Sequence, residues 1–470
     1  MSEWALPAGF RFGVATAGFQ VEGGYNDRGQ PANNWAEWEQ SGRVERSGAA
    51  VEFWTTYERH LDRAVAAGCD AFRMSVEWAR CEPSEGEVDE VAIGHYNAIL
   101  DACHDRGVQP LVTLHHFTHP AWLGVDFWLR PDSPERFAEW VALAVDRFAG
   151  RCRHWVTINE PNVYAIQSYV LGYFPPGRKL NVGKAVRTLD HMLAGHVLAY
   201  EVIKERQPQA VVTTNTYPLS VYEPDRLLLD VLLARSNGVG RYDIGPWLRE
   251  RREQYHARSL PEPSRFEWLL RKRINSAVPM DKALPRAVAA VYDSPCERTL
   301  DVVAVDYYDP VVHTHLRVPP PKLWDDTVWP EGLARYAELN AEPGLDLWVV
   351  ENGLCNRVRG SLSYPRRDKW TRPRYLAANL GAVVAALDAG IPVGSYFHWT
   401  LADNYEWGSY EPRFGLYGIA RAGHGMEWCD LDSMGDDSAG AYRRIIEGLR
   451  AGDRAVVEPA FATGRRAPRR

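Results

Sequence analysis

The sequence predicts an α/β protein built as a single (β/α)8 barrel of the TIM type, with long insertions in the loops that follow the strands. Eight short β-rich runs alternate with helical patterns along the chain. Several of these runs are apolar on both faces, which is typical of parallel strands covered by helices. Glycine follows several helical stretches at the point where a helix should end. A doubly wound open sheet has the same alternation, so periodicity alone leaves that architecture as the alternative.

The predicted strands are Phe10–Thr16, Ala71–Trp78, Val108–Phe117, His154–Glu160, Ala210–Tyr217, Leu300–Tyr308, Leu347–Glu351 and Pro392–Leu401. Between them, apolar residues recur every three to four positions, as expected for helices with one buried face. The clearest helical stretches are Phe53–Ala67, Ala92–Arg106, Pro134–Ala149, Val182–Arg206 and Leu376–Asp388. Gly68, Gly107 and Gly390 stand where three of these helices should stop.

Composition is that of an ordinary globular chain, with 46% hydrophobic and 24% charged residues among 470. A minimal barrel needs about 250 residues, so the excess is expected in insertions, the largest of them at about 218–299. We expect residues 1–455 to form the barrel and residues 456–470 to form a flexible, basic tail. The net charge of −7 does not favour binding to nucleic acid.

A cytoplasmic location without a membrane partner is predicted from three absences in the sequence. No run approaches the roughly 18 apolar residues that a membrane-spanning helix needs. The first residues, Met1–Pro7, lack the basic and apolar segments of a secretory signal. The seven cysteines are scattered, odd in number and without a CxxC pair, which favours free thiols. The sequence leaves the oligomeric state open.

Two glutamates stand at the ends of apolar strands. Glu160 follows the fourth predicted strand and Glu351 ends the seventh. A carboxyl group is costly in such a place unless it is used or paired. Barrel active sites lie at the carboxyl ends of the strands, and strands four and seven are on roughly opposite sides of the ring, so both side chains should face one pocket. Glycoside hydrolysis requires two facing carboxyl groups in different environments.

The sequence gives less support to a metal site, a nucleotide site or a serine-hydrolase site. His115, His116 and His119 are close in sequence, but neighbouring strand residues point to opposite faces, so His115 and His116 should not bind one metal ion. The strands carry no HExxH, P-loop, GxGxxG or GxSxG pattern. We therefore expect neither a metal nor a cofactor.

Six blocks of sequence, in order along the chain, are similar to one known family. They are Phe10–Gly23, Phe72–Arg80, Thr113–Phe117 with Pro120 and Trp122, Thr157–Pro161, Val350–Gly353, and His398–Trp407 with Arg413–Leu416. Together they resemble the family 1 glycoside hydrolases, clan A barrels of the β-glucosidase and β-galactosidase type. The resemblance implies a retaining β-glycosidase that acts on a small-molecule glycoside without a cofactor.

By that resemblance Glu160 is the acid/base and Glu351 the nucleophile of a double displacement. Retention implies carboxyl groups about 5 Å apart. Arg73, on the inward parity of its strand, should keep Glu351 ionised, and Tyr308 should donate a hydrogen bond to the same carboxylate. Glu160 has no identifiable cation and should keep its proton to near-neutral pH if it is partly desolvated.

The resemblance also implies the sugar-binding residues. Asn159 and His116 would bind hydroxyls near the reacting carbon, Asn159 at the 2-OH. Gln20 and Glu406 would share the 4-OH, with Glu406 also at the 6-OH. Trp407 would bind the 3-OH, and Trp399 would lie beneath the ring. A carboxylate at O6 would repel phosphate, so unphosphorylated β-D-glucosides, galactosides or fucosides are expected, without a ranking among them.

Four residues depart from the family pattern, among them Ala420, which stands where an Asp is common. Asp306 stands where relatives usually carry Asn, and an inward carboxylate there should raise neighbouring pKa values. Val350 replaces the usual Thr and is expected on the outward face of its strand. Glu77 stands where many relatives have Ser and is expected to pair with a barrel arginine. Two other functions remain open at this point: a transglycosidase with the same glutamates, and a sugar-binding relative without activity.

Overall fold

The computed structural model describes residues 4–219, 222–259, 284–308, 322–422 and 425–457. Within them, nine strands form one parallel sheet in the order β5–β4–β3–β2–β1–β11–β8–β7–β6. These strands are β1 Arg11–Ala15, β2 Ala71–Ser75, β3 Gln109–Thr113, β4 His154–Val156, β5 Val211–Thr213, β6 Asn215–Thr216, β7 Val303–Tyr307, β8 Leu347–Asn352 and β11 Val393–Trp399.

Closure of the sheet depends on the fifth predicted strand. It is interrupted at Thr214, and its halves β5 and β6 pair with β4 and β7 respectively. Since β5 and β6 stand at the two ends of the strand order and adjoin in the chain, the sheet closes on itself. The (β/α)8 barrel is confirmed, and the open doubly wound sheet was the wrong alternative.

Helices surround the barrel and line its loops. They are α1 Gly18–Val21, α2 Asn34–Gln40, α3 Phe53–Ala66, α4 Trp78–Cys81, α5 Glu90–Asp105, α6 Ser133–Phe148, α7 Pro161–Ile166, α8 Val182–Arg206, α9 Arg226–Leu233, α10 Ile244–Ser259, α11 Pro285–Asp293, α12 Pro330–Asn340, α13 Arg372–Asp388 and α14 Ser438–Arg450. A π-helical turn, Gln167–Leu171, continues α7. The five predicted helices are all present within a few residues of their expected ends, and Gly68, Gly107 and Gly390 adopt positive φ values of 89°, 68° and 81° after three of them.

All eight predicted strands exist, but most end earlier than the sequence predicts. Strand pairing stops at Ser75 instead of Trp78, at Thr113 instead of Phe117, and at Val156 instead of Glu160. Many of the residues beyond these points are buried, and several are apolar or uncharged. Their sequence therefore resembles that of a buried strand. They leave the sheet because they turn over the carboxyl end of the barrel.

The core has two parts, one inside the barrel and one between the strands and the helices. The inner part contains Ala15, Leu111, Val156, Ala304 and Val350 among others. The prediction that Val350 faces outward is therefore wrong. Its cause is a bulge in β8: Val305 and Asp306 of β7 pair with Val349 and Glu351, so β8 holds one extra residue, Val350. Such a bulge re-aims the next side chain.

Two smaller sheets lie outside the barrel. Strands β9 Asn356–Arg359, β10 Leu362–Tyr364 and β12 Pro412–Arg413 form one, and the hairpin β13 Ile419–Ala422 with β14 Gly425–Trp428 forms the other. The large insertion carries α9, α10 and α11.

Most of the predicted tail, 458–470, lies outside the described residues, whereas Val456 and Val457 pack against the core. In the described part of the chain, no helix combines the length and apolarity needed to cross a bilayer.

Candidate active site

The carboxyl end of the barrel brings Glu351 together with Arg73 and Tyr308. The bulge in β8 turns Glu351 inward, where its Oε1 accepts a hydrogen bond from Nη1 of Arg73 at 2.6 Å. Its Oε2 accepts one from the Tyr308 hydroxyl at 2.6 Å. Both contacts are those expected from the sequence. Arg73 is fully buried, so this ion pair is shielded from solvent.

Glu160 reaches the same pocket through an unusual backbone conformation. Strand β4 ends at Val156, and Glu160 precedes Pro161, the first residue of α7, with φ 39° and ψ 61°. A non-glycine residue in this left-handed region costs on the order of 1–3 kcal/mol, and such strain is concentrated at functional sites. The turn aims the carboxyl group at the barrel axis, where an oxygen of Glu160 lies within 4.8 Å of an oxygen of Glu351.

Asp306 places a third carboxyl group in this centre. Asp306 pairs in register with Glu351 across β7 and β8 and is completely buried. One of its oxygens lies within 4.8 Å of oxygens of both Glu160 and Glu351. Its Oδ2 accepts a hydrogen bond from Asn215, and its Oδ1 is 3.9 Å from Nη1 of Arg73. The inward orientation on which the sequence hypothesis depended is therefore present.

The three carboxyl groups differ in their electrostatic surroundings. Burial raises the pKa of Glu160 to about 8, and the nearby charge of Glu351 adds to that rise. Burial, Glu351 and Glu160 together raise the pKa of Asp306 well above its usual range. Burial also raises the pKa of Glu351, but Arg73 and Tyr308 oppose the rise. Because Glu351 has the shortest contact with the guanidinium, it is the carboxyl group that ionises first.

The predicted sugar-binding residues form a second group around Glu406. This carboxyl group accepts hydrogen bonds from Nε2 of Gln20 at 3.1 Å and from Nε1 of Trp399 at 2.9 Å. The ring of His116 stacks against both Trp399 and Trp407, with centroid distances of 5.9 and 5.8 Å. Burial raises the pKa of Glu406 to about 8, and the hydrogen bonds from Trp399 and Gln20 oppose this rise.

Several polar atoms of this pocket have no hydrogen-bond partner within the described residues. They are Gln20 Oε1, His116 Nδ1, Asn159 Nδ2, Glu160 Oε1 and Asp306 Oδ1. Leaving such a buried atom unpaired costs about 1–3 kcal/mol, so native structures usually satisfy it with water or a ligand. Apart from Asp306, the open donors and acceptors belong to residues expected to meet a sugar and its glycosidic oxygen.

An aromatic wall closes one side of the pocket. Trp407 contacts the rings of Trp35, Phe117 and Phe174 at centroid distances of 4.9, 5.1 and 5.7 Å. Phe117 and Trp407 both have positive φ values, 65° and 41°. Strained backbone at Glu160, Phe117 and Trp407 shows that the fold holds these side chains at the pocket against their local preference.

Glu77 does not have the role expected from the sequence. Its carboxyl group accepts hydrogen bonds from Thr118 Oγ1 at 3.0 Å and from Asn33 at 3.4 Å. The nearby arginine, Arg80, instead pairs with Glu22 at 2.6 Å. No ion pair of Glu77 within 4.0 Å occurs in the described residues, because Glu22 occupies the guanidinium. The expected arginine pairing is therefore wrong.

The histidines behave as the strand geometry predicted. His115 accepts a hydrogen bond from Nε1 of Trp128 at 3.0 Å, whereas His116 packs on the aromatic rings of the pocket. The two side chains thus point in different directions. The carboxyl groups close enough to share a cation, among the residues described, are Glu160, Asp306 and Glu351.

Sequence reasoning missed Asn215 in the fifth strand. Its Nδ2 donates to Asn159 Oδ1 at 2.9 Å and also to Asp306, so it joins the 2-OH candidate to the acidic centre. Thr113 was likewise missed as a site residue, although its Oγ1 accepts from Nε of Arg73 at 3.2 Å. The signal that could have identified Asn215 was its carboxamide side chain, which lies in the buried fifth strand of the barrel.

Comparison with known proteins places this site in a family. The family model described as glycosyl hydrolase family 1 matches residues 2–233 and 300–446. The chain belongs to glycosyl hydrolase family 1. This family 1 glycosidase is 25% identical to coniferin β-glucosidase of Pinus contorta, over 88% of each chain. It is also 25% identical to 6-phospho-β-galactosidase 1 of Streptococcus pneumoniae, over 88% of this chain and 93% of that one.

A solved structure shares the fold. The β-glucosidase from Thermotoga maritima in complex with noeuromycin superposes with a TM-score of 0.74, over 95% of this chain and 99% of that one. The sequence identity of that pair is 22%, so the likeness establishes the barrel architecture of the family 1 glycosidase and not its substrate.

Proposed function

We propose that this family 1 glycosidase is a retaining, exo-acting β-glycosidase in which Glu351 is the nucleophile and Glu160 the acid/base. One observation carries the proposal: oxygens of the two glutamates lie within 4.8 Å of each other, and of these two it is Glu351 that accepts hydrogen bonds from Arg73 and Tyr308. Retaining enzymes keep their carboxyl groups about 5–5.5 Å apart, whereas inverting enzymes need a wider gap for water. Because Arg73 and Tyr308 contact Glu351 and not Glu160, we expect Glu351 to be ionised and Glu160 to be protonated.

The reaction has two steps. In the first, the ionised Glu351 attacks the anomeric carbon while Glu160 donates its proton to the glycosidic oxygen, and the aglycone leaves as an alcohol. In the second, Glu160 takes a proton from water, and the water oxygen displaces Glu351 from the anomeric carbon. Arg73 stabilises the carboxylate before the attack and after its release. Asn159, whose Nδ2 is open, would bond the 2-OH, where contacts strengthen at the transition state.

The proposed substrates are unphosphorylated β-D-glucosides, galactosides or fucosides. Gln20, Glu406 and Trp407 would bind the hydroxyls remote from the reacting carbon, with Trp399 beneath the ring. His116, whose Nδ1 is open, would bind a hydroxyl near the reacting carbon. A 6-phosphate would need cationic partners near O6. The side chains that hydrogen-bond to Glu406 are Gln20 and Trp399, both neutral, and burial itself disfavours a phosphate there.

A cytoplasmic location is part of the proposal. All seven cysteines are free thiols, and five of them are buried. Such a set suits a reducing compartment.

Turnover of p-nitrophenyl β-glycosides by wild type, Glu351→Gln and Glu160→Ala tests the assignment. Glu351→Gln should lose roughly 10,000-fold or more in kcat because the nucleophile is gone. Glu160→Ala should lose about 100- to 10,000-fold with substrates that need protonation, and azide should restore turnover as a β-glycosyl azide. An α-configured azide product, or unchanged activity in Glu351→Gln, would contradict the proposal.

Paired substrates test the glycone. We expect hydrolysis of the free β-glucoside or β-galactoside and at least about 100-fold lower kcat/KM for the matching 6-phosphate, because the described side chains that bond to Glu406 carry no positive charge to compensate its burial. The reverse preference would show that the O6 pocket accepts phosphate and would contradict this part of the proposal.

A further inference from the structure

We propose that Asp306 is a positioning residue that shares one proton with Glu160, so that the two side chains act as a single proton-donating pair. The inference rests on the proposed function, since it concerns how the acid/base of that reaction holds its proton. Its basis is the geometry of a buried centre in which carboxyl groups outnumber cations.

The contacts within the centre leave the pair short of hydrogen-bond donors. Asp306 is fully buried, and its Oδ2 already accepts from Asn215. Its Oδ1, like Oε1 of Glu160, has no donor among the described residues. Oxygens of the two groups lie within 4.8 Å of each other. A proton held by one of the two carboxyl groups would supply the missing donor, whereas two carboxylates would both remain unsatisfied.

Charged and polar groups from several strands face Asp306. Arg73 of β2 is 3.9 Å away, but it makes its short ion pair, 2.6 Å, with Glu351 of β8. Glu160 follows β4, neutral Asn215 comes from β6, and the hydroxyl of Tyr308, next to β7, is engaged with Glu351. Among the residues described, Arg73 is the cation that forms ion pairs with this centre, so full ionisation would leave two uncompensated negative charges.

The surroundings agree with a retained proton. Burial and the neighbouring carboxyl groups raise the pKa values of both Glu160 and Asp306, and the charge of Arg73 opposes the rise for both. Coupled groups of this kind lose their protons in two steps that belong to the pair. The last proton is held to a higher pH than a lone Glu160 would hold it, because its loss creates two adjacent carboxylates.

Charge balance explains how such a pair serves both steps of the reaction. Before attack, ionised Glu351, ionised Arg73 and a pair holding one proton carry a net charge of minus one. When Glu160 passes that proton to the leaving oxygen, Glu351 becomes a neutral ester, so the doubly ionised pair faces less repulsion and the net charge is unchanged. Water then returns one proton to the pair while its oxygen bonds to the anomeric carbon and the Glu351 ester bond breaks.

The pH dependence of kcat/KM for Asp306→Asn tests the proposal. Asparagine keeps the shape and can still accept from Asn215, but it removes the second carboxylate. We expect the alkaline limb to move to lower pH by at least about one unit, so that activity at pH 8.5 falls about tenfold further than activity at pH 5.5. An alkaline limb that stays in place, with Asp306→Asn folded, would overturn the proposal.

Asp230→Asn is the matched control, since Asp230 is also completely buried but bonds to Arg226 and Arg251 outside the centre. Its alkaline limb should remain at the wild-type position. An equal shift in this variant would show a general charge effect and would overturn the assignment to Asp306.

Infrared spectra test the proton itself, without substrate. The wild-type minus Asp306→Asn difference at pH 7.5 should contain the C=O stretching band of a protonated carboxyl group. A difference that contains only carboxylate bands would overturn the proposal. This measurement does not depend on turnover, so it separates failure of the proton pair from failure of the proposed glycosidase activity.

Discussion

Two buried groups of charged side chains in this protein have opposite balance. Asp230 and Glu342 lie in a charge-matched cluster, in which Arg226 and Arg251 each bind both carboxylates. At the carboxyl end of the barrel lies an acid-rich centre of Glu160, Asp306 and Glu351. There Arg73 forms one short ion pair and one contact of 3.9 Å.

The difference separates structural from chemical use of the same side chains. In the charge-matched cluster two carboxylates share two guanidinium groups, and Tyr222 satisfies a further lone pair of Asp230 at 2.8 Å. Such a cluster joins α9, α10 and the end of α12 without needing to change protonation. Burying the carboxyl groups of the acid-rich centre costs desolvation free energy, which packing elsewhere in the fold must offset. The same burial raises their pKa values, so the centre holds protons at neutral pH.

The largest expected effect is on activity, from Arg73→Met. The substitution leaves three carboxyl groups without their guanidinium, so Glu351 would hold a proton and lose its nucleophilicity. We expect kcat/KM at pH 6 to fall about 1,000-fold, the rate equivalent of the roughly 4 kcal/mol lost when a buried ion pair is broken. A fall of less than tenfold, measured in a folded variant by steady-state kinetics, would show that Arg73 does not set the charge state of Glu351.

Asp230→Asn should break the charge-matched cluster instead. It leaves Arg226 and Arg251 with one carboxylate between them, and we expect the free energy of unfolding to fall by about 3 kcal/mol. Denaturant titration measures this loss. The kcat/KM of the folded variant should stay within about twofold of wild type, since the cluster is outside the pocket. A stable variant would mean that the two clusters do not differ as described.

Asp306→Asn should have the opposite sign of effect on stability. Because burial raises the folded-state pKa of Asp306 above its ordinary value of 3.8, the folded protein binds more protons than the unfolded chain above that pH. Wild-type stability must then fall as the pH rises from about 4 towards the folded-state pKa, whereas asparagine does not titrate. The variant should therefore become more stable than wild type by a margin that grows as the pH rises from about 4 to about 8, measured by denaturant titration at several pH values. A gain that does not grow with pH would contradict the raised pKa.

Tyr308→Phe should give the smallest effect. It removes the 2.6 Å hydrogen bond to Glu351 and keeps the ring. We expect kcat to fall about tenfold, since a hydrogen bond to a charged group contributes about 1.5–3 kcal/mol. The acidic limb of the pH profile should move to higher pH, because losing a donor to the carboxylate raises the pKa of Glu351. An acidic limb that moves to lower pH would contradict this arrangement.

Much of the site could be predicted because its residues sit at regular positions on the strands. Arg73 and Asp306 follow the inward parity of β2 and β7, Glu351 is the last residue but one of β8, and Glu160 follows β4 at the same end of the barrel. The wrong predictions concern a residue at a strand bulge and a residue whose expected partner binds another side chain. Val350 lies inside the barrel because of the β8 bulge, and Glu77 lacks its expected arginine because Glu22, distant in sequence, pairs with Arg80. Periodicity carries no information about an extra residue or a competing partner.

The sequence by itself determined the eight strands, the helices between them and the residue types at the strand ends, because those depend on local apolar periodicity and turn chemistry. Only the tertiary structure decided which carboxyl groups meet and how they share one guanidinium. Glu160, Asp306 and Glu351 come from three separate strands, and their distances follow from barrel closure, the β8 bulge and the left-handed turn at Glu160. Proton affinity depends on those distances and on burial, which are properties of the packed fold.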